Sequence, residues 1–151
     1  FQKCLKEKLL ITAVESCTGG LISSEITNIP GSSKVFEKGL ITYSNKSKVE
    51  LLGISEQILK TYGAVSREAI SQMAMSPILD NKQNNKITIA TSGVAGPGQS
   101  EKKPVGLIWL ASYRHDNLLI KKINLGNLDR MTIRRRTVFE ALTLLKQNLQ
   151  I

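Results

Sequence analysis

The hexapeptide Glu15-Ser16-Cys17-Thr18-Gly19-Gly20 lies between two runs of different periodicity. Ahead of it, Leu9 to Val14 is apolar and rich in β-formers, as a buried strand is. After it, Leu21, Ile22, Ile26 and Ile29 recur at helical spacing. The stretch therefore predicts a strand, a sharp turn of small residues, and a helix start. A helix start presents unpaired N–H groups and the positive end of a dipole. A serine hydroxyl there binds an anion or, with a base nearby, attacks a carbonyl. The plainer alternative is that Ser16 or Thr18 is an N-cap and the glycines only permit the turn.

Working outward, Phe1 to Glu7 reads as the end of a helix. The helix after the hexapeptide stops near Pro30-Gly31. Val35 to Tyr43 reads as a second strand, in which Gly39 predicts a bulge or a close backbone approach. Ser44-Asn45 caps a short helix through Leu52, closed by Gly53. Glu56 to Tyr62 forms another, ending at Gly63. Ser66 caps a third, which Pro77 is expected to kink or end. Asp80 to Lys86 is polar and loop-like. Lys86 to Thr91 alternates as a strand and feeds a second small-residue turn, Ser92 to Gly98. Val105 to Tyr113 and Leu118 to Leu125 predict an antiparallel hairpin. Asp129 caps a long last helix whose buried stripe is Val138, Leu142, Leu145 and Leu149.

Strands alternating with helices and closing on a hairpin imply a three-layer α/β/α sandwich. Its sheet should be mixed and mostly parallel, with a C-terminal antiparallel hairpin. In such sheets ligands lie beyond the carboxyl ends of strands. Both small-residue turns fall there, and they line one pocket if their strands are parallel neighbours.

At 151 residues the chain is most simply one domain, residues 1–151, long enough for a real core. Its composition, 41% hydrophobic, 22% charged and 5% aromatic, describes an aliphatic-cored globular protein. No apolar run approaches the ~18 residues of a membrane helix. Phe1-Gln2-Lys3 carries neither a Met nor a signal-peptide pattern, and a few native residues are expected to precede it. Cys4 and Cys17 fit a reduced, cytoplasmic protein, and with a single His they make no zinc site. The formal net charge of +9 suits an anionic partner. Basic residues are dispersed and aromatics scattered, which speaks against base-stacking platforms and nucleic acid.

A serine needs a base. His115 falls in the predicted hairpin turn, which weakens a Ser-His-Asp arrangement. A lysine is the alternative. With Ser44 capping, Tyr43 lies at the helix entrance and Lys48 about one turn in, so both can reach one rim. A lysine buried near other cations loses its proton more easily. Spacing alone equally allows an exposed lysine and an ordinary strand tyrosine.

Five stretches resemble, in order, the motifs of the CinA C-terminal-domain family, which includes stand-alone nicotinamide-nucleotide amidases. They are Glu15 to Gly20, Gly39 to Lys48 with its Thr42-Tyr43-Ser44-Asn45, Tyr62 to Ser66, Ser92 to Pro97, and Lys103 to Gly106. They span nearly the whole chain. The family's larger members carry an additional N-terminal domain. The resemblance implies hydrolysis of the carboxamide of nicotinamide mononucleotide to nicotinic acid mononucleotide and ammonia, with no metal or organic cofactor. It implies Ser16 as nucleophile, Lys48 as base and Tyr43 as their partner. Substrate contacts would come from Cys17, Thr18, Gly19 and Gly20, from Ser92, Gly93, Ala95 and Gly96, and from Arg130 or Arg134. A homodimer is expected by the same resemblance. The rival is a non-catalytic nucleotide-binding or protein-interaction module of the competence and damage-inducible type. Two features depart from the family pattern: the loop after Pro97 is shortened and poorer in glycine, and Pro77 interrupts a helix.

Overall fold

The computed structural model describes residues 1–79 and 85–150. The elements are α1 (Gln2–Glu7), β1 (Leu10–Glu15), α2 (Leu21–Thr27), β2 (Phe36–Ile41), α3 (Asn45–Leu52), α4 (Glu56–Tyr62), α5 (Arg67–Leu79), β3 (Lys86–Gly93), β4 (Leu107–Arg114), β5 (Asn117–Asn124) and α6 (Arg130–Asn148). The strands form one five-stranded sheet in the order β2-β1-β3-β4-β5. β1 pairs parallel with β2 and β3, and β4 pairs antiparallel with β3 and β5. Only β4 therefore runs against the other four strands, the mixed and mostly parallel sheet expected.

Alternation along the strands divides the core in two. Ile11, Ala13, Ile87, Ile89, Ile108 and Leu110 pack with Cys4, Ile22, Ile133 and Leu145, burying α1, α2 and α6 on one face. Val14, Ala90 and Ala111 pack with Leu52, Leu59, Ile70 and Met73 of α3, α4 and α5 on the other. Both faces are covered, which is why β3 is buried along nearly its whole length.

The caps follow local chemistry. Ser44 Oγ accepts the Ser47 N–H, Gly53 closes α3 in the left-handed region, and Asp129 accepts the Thr132 N–H at the head of α6. Gly39 makes a close approach, since a Cβ there would overlap the Ser23 hydroxyl on α2. Two expectations change. α5 runs through Pro77 to Leu79, so the proline does not end it at Ser76; within the helix it costs one backbone bond. The buried stripe of α6 is wider than the spacing suggested and includes Ile133, Thr137, Ala141 and Leu144, whereas Leu142 is only partly buried. The expected loop at 80–86 falls mostly outside the described residues, although Lys86 already belongs to β3. Among the described residues no helix is long and apolar enough to cross a membrane.

Candidate active site

The register of β1 on β3 sets Glu15 beside Thr91, and Ser16 N–H continues the ladder onto the Thr91 carbonyl at 3.1 Å. The two small-residue turns are therefore neighbours at the carboxyl ends of parallel strands. On the other flank β2 ends at Ile41, Thr42 N–H bonds the Glu15 carbonyl, and Ser44 opens α3. One turn into α3 the chain has doubled back, which carries Lys48 under the end of β1.

Lys48 is 1% exposed and Ser16 is 9% exposed. Their Nζ and Oγ atoms are 3.2 Å apart. Lys48 Nζ also donates to the carbonyls of Thr42 at 2.7 Å and Tyr43 at 3.4 Å. Among the described residues no carboxylate lies within ion-pair distance of it. Burial lowers the Lys48 pKa from the ordinary lysine value, against weaker opposite pulls from Cys17 and Glu101. An amine so placed gives up its proton readily and can accept one from a hydroxyl. Burial pushes the neighbouring Cys17 thiol up to about 12, which keeps it protonated and unreactive beside the serine.

These residues line a cleft of about 220 Å³, together with Tyr43, Ala64, Val65, the Ser92 to Gly96 turn, Glu101 and Arg130. A wider hollow of about 580 Å³ between α3 and α4 is lined by Lys46, Glu50, Glu56, Lys60 and their neighbours. It holds no serine and no buried base.

The expected site residues divide into two groups. Ser16, Cys17, Tyr43, Lys48, Ser92, Gly93, Ala95, Gly96 and Arg130 line the cleft. Thr18, Gly19, Gly20 and Arg134 do not. Thr18 is buried against the Thr91 hydroxyl at 2.9 Å. Arg134 donates to the carbonyls of Cys17 at 3.1 Å and Thr18 at 2.7 Å, which clamps the turn from behind. The choice between the two arginines is thereby a choice of position: Arg130 is on the cleft, Arg134 behind it. Arg130 reaches the Gly96 carbonyl at 2.6 Å and the Tyr43 hydroxyl at 2.7 Å, joining the head of α6 to the rim. Ser92 Oγ donates to the Ala64 carbonyl at 2.8 Å. His115 is exposed in the β4–β5 turn, at the opposite end of the sheet from Ser16.

Sequence reasoning missed Glu15. Its carboxylate is 0% exposed and seals the start of α2. Oε2 accepts the N–H groups of Gly20 and Ile22, and Oε1 accepts the N–H and hydroxyl of Ser23. The helix end that looked free to bind an anion is thus filled from within. Among the described residues no acceptor meets the N–H of Cys17 or Thr18. The signal was present in the sequence: an acidic residue at the end of a buried strand, just before a helix start, needs donors.

Comparison with known proteins agrees with this architecture. The family described as the CinA C-terminal domain matches residues 1–149. A competence-damage inducible type protein of Clostridioides difficile is 46% identical over 150 residues, covering 98% of this chain and 35% of its own length. A CinA-like protein of Kosmotoga olearia is 41% identical over 145 residues, covering 95% and 34%. The chain thus spans about a third of the length of these curated relatives. The crystal structure of a competence/damage inducible protein from Agrobacterium tumefaciens superposes with a TM-score of 0.91 at 39% identity, covering 99% of this chain and 90% of that one. The family match over residues 1–149 and the near full-length superposition mean that this chain belongs to the CinA C-terminal domain family.

Proposed function

We propose that the chain is a nicotinamide-nucleotide amidase, hydrolysing the carboxamide of nicotinamide mononucleotide by a serine–lysine mechanism. The observation that carries this is the approach of Ser16 Oγ to a buried, charge-unpartnered Lys48 amine at 3.2 Å, at the floor of a cleft. In this reading the Ser16 hydroxyl donates to the neutral Lys48 amine, and Ser16 Oγ attacks the amide carbon. The oxyanion lies against the open N–H of Cys17 on the cleft wall, a good donor lowering the barrier by about 3–4 kcal/mol. Lys48 then passes the proton to the departing nitrogen, and ammonia leaves. A water molecule, deprotonated by the same amine, cleaves the acyl-serine and restores the hydroxyl.

Arg130 supplies the cationic contact for the substrate phosphate. The Tyr43 hydroxyl accepts from Arg130, not from Ser16 or Lys48, and orients that guanidinium. Thr18, Gly19, Gly20 and Arg134 shape the turn that carries the nucleophile. Ammonia release from nicotinamide mononucleotide by the purified protein tests the assignment. Ser16→Ala and Lys48→Ala should each abolish it while the circular-dichroism spectrum stays native. Full activity in either folded variant would overturn it.

A second reading is favoured by the names of the relatives, which speak of competence and damage induction and not of hydrolysis. A binding-only module would take up the nucleotide in calorimetry and release no ammonia.

A further inference from the structure

Ser100 and Lys103 exchange backbone hydrogen bonds at 3.2 and 2.8 Å around a two-residue turn. Its central residues, Glu101 and Lys102, have φ of 52° and 58°. This geometry normally selects glycine or asparagine. Two side-chain-bearing residues hold it here, so an outside contact must fix the loop.

That contact is the Glu101 carboxylate. Oε1 accepts the Ala64 N–H at 2.9 Å; Oε2 accepts the Val65 N–H at 3.3 Å and Lys103 Nζ at 3.2 Å. Lys103 Nζ also donates to the Tyr62 carbonyl at 2.6 Å. The seat has no room for more, because a Cβ at Gly63 would overlap Glu101 Oε2. Burial works to raise the Glu101 carboxyl, but the Ala64, Lys103 and Val65 donors outweigh it and hold the group below the usual carboxylate range. Ala64 and Val65 are buried cleft residues, and the Ala64 carbonyl takes the Ser92 hydroxyl. One carboxylate thus ties an exposed loop, the α4–α5 turn and the end of β3 into a single wall facing Ser16 and Lys48.

Resting on the amidase reading for its reaction, we propose that Glu101 is a positioning residue: its carboxylate, seated on the Ala64 and Val65 N–H groups over bare Gly63, latches the 98–103 loop as the outer wall of the substrate cleft. It touches neither the nucleophile nor the base. Its loss therefore loosens substrate binding more than it slows the chemical step.

The test compares wild type with Glu101→Ala, Glu101→Gln and Gly63→Ala. Amide hydrogen exchange at Ala64 and Val65 is read by NMR, and steady-state ammonia release from nicotinamide mononucleotide is followed alongside. Glu101→Ala should speed exchange at both amides at least ~10-fold and raise KM at least ~10-fold, with kcat within ~3-fold. Glu101→Gln, which keeps one acceptor oxygen, should recover part of both. Gly63→Ala fills the seat with Glu101 intact and, at φ +79°, also strains the backbone, so it should reproduce the alanine variant's exchange and KM with a lower melting temperature besides. Unchanged exchange in Glu101→Ala overturns the latch, and an unchanged KM, or a loss confined to kcat, overturns its place in substrate binding. A wild-type protein that releases no ammonia overturns the amidase reading and the binding role with it, while the exchange comparison still decides the latch.

Discussion

Lys48 Nζ donates to the Thr42 carbonyl at 2.7 Å while lying 3.2 Å from Ser16 Oγ. A neutral amine has two N–H bonds and one lone pair. The Thr42 and Tyr43 carbonyls account for the first, which leaves the lone pair for the serine hydroxyl. In the proposed mechanism the same residue is both anchor and base, and its protonation state decides which proton lies between it and Ser16.

The pH profile should show this directly. Burial lowers the Lys48 pKa, so kcat/KM should rise along an acid limb whose midpoint lies below the ~10.4 of free lysine. Removing the Glu101 charge, which favours the ammonium, should move that limb lower still. The groups bearing on Lys48 are Cys17 and Glu101. A profile with no ionisation below the free lysine value would contradict the assignment.

A buried amine without a counter-ion also costs stability. The folded state holds the Lys48 proton more weakly than the unfolded state does. Between the lowered pKa and the ordinary one, the unfolded chain binds more protons, so wild-type stability rises with pH. Lys48→Met should therefore be more stable than wild type at neutral pH, by about 1 kcal/mol. The advantage should shrink as pH climbs towards the free lysine value. Denaturant melts at several pH values check both the sign and the trend.

Glu15 should behave in the opposite way. Glu15→Ala leaves the N–H groups of Gly20, Ile22 and Ser23 without their acceptor, a loss of about 2–4 kcal/mol. The urea midpoint should fall accordingly, and activity should fall too because Ser16 sits on the same turn. A midpoint within error of wild type would mean that the carboxylate does not cap α2 in solution.

The two arginines should separate. Arg130→Ala should raise KM by about 10- to 100-fold, the loss of one charge-assisted contact, with little change in melting temperature. Arg134→Ala removes the donors to the Cys17 and Thr18 carbonyls. It should lower both the melting temperature and kcat. Thermal melts beside steady-state kinetics distinguish the pair.

Cys17 should be inert. With its thiol pushed up to about 12 and buried, iodoacetamide at pH 8 should leave both its mass and the activity unchanged. Rapid alkylation with loss of activity would show that the turn opens.

Much of this was legible where the rule is local. The strand–turn–helix around Ser16, the Ser44 and Asp129 caps and the Gly53 stop depend on neighbours a few residues away, and the spacing carries them. The parallel adjacency of β1 and β3 was legible only as a condition, because register belongs to the sheet. Arg134 could not be placed, since the carbonyls it holds are 116 and 117 residues distant along the chain. Glu101 was invisible for the same reason: its partners lie on another loop, and only the fold shows that Gly63 leaves room for it. Pro77 was expected to kink or end α5, and the helix continues through it to Leu79 because one lost backbone bond is outweighed by its neighbours.

The carboxylate of Glu15, spent on its own helix, gives the cleft a direction. Of the residues that line it, Arg130 carries the fixed positive charge, while burial at the closed end disfavours the charged form of Lys48. A molecule carrying a negative tail has one address for that tail, at the head of α6. In the proposed reaction its far end would then lie over the serine, so that orientation is chosen by charge before any bond is made.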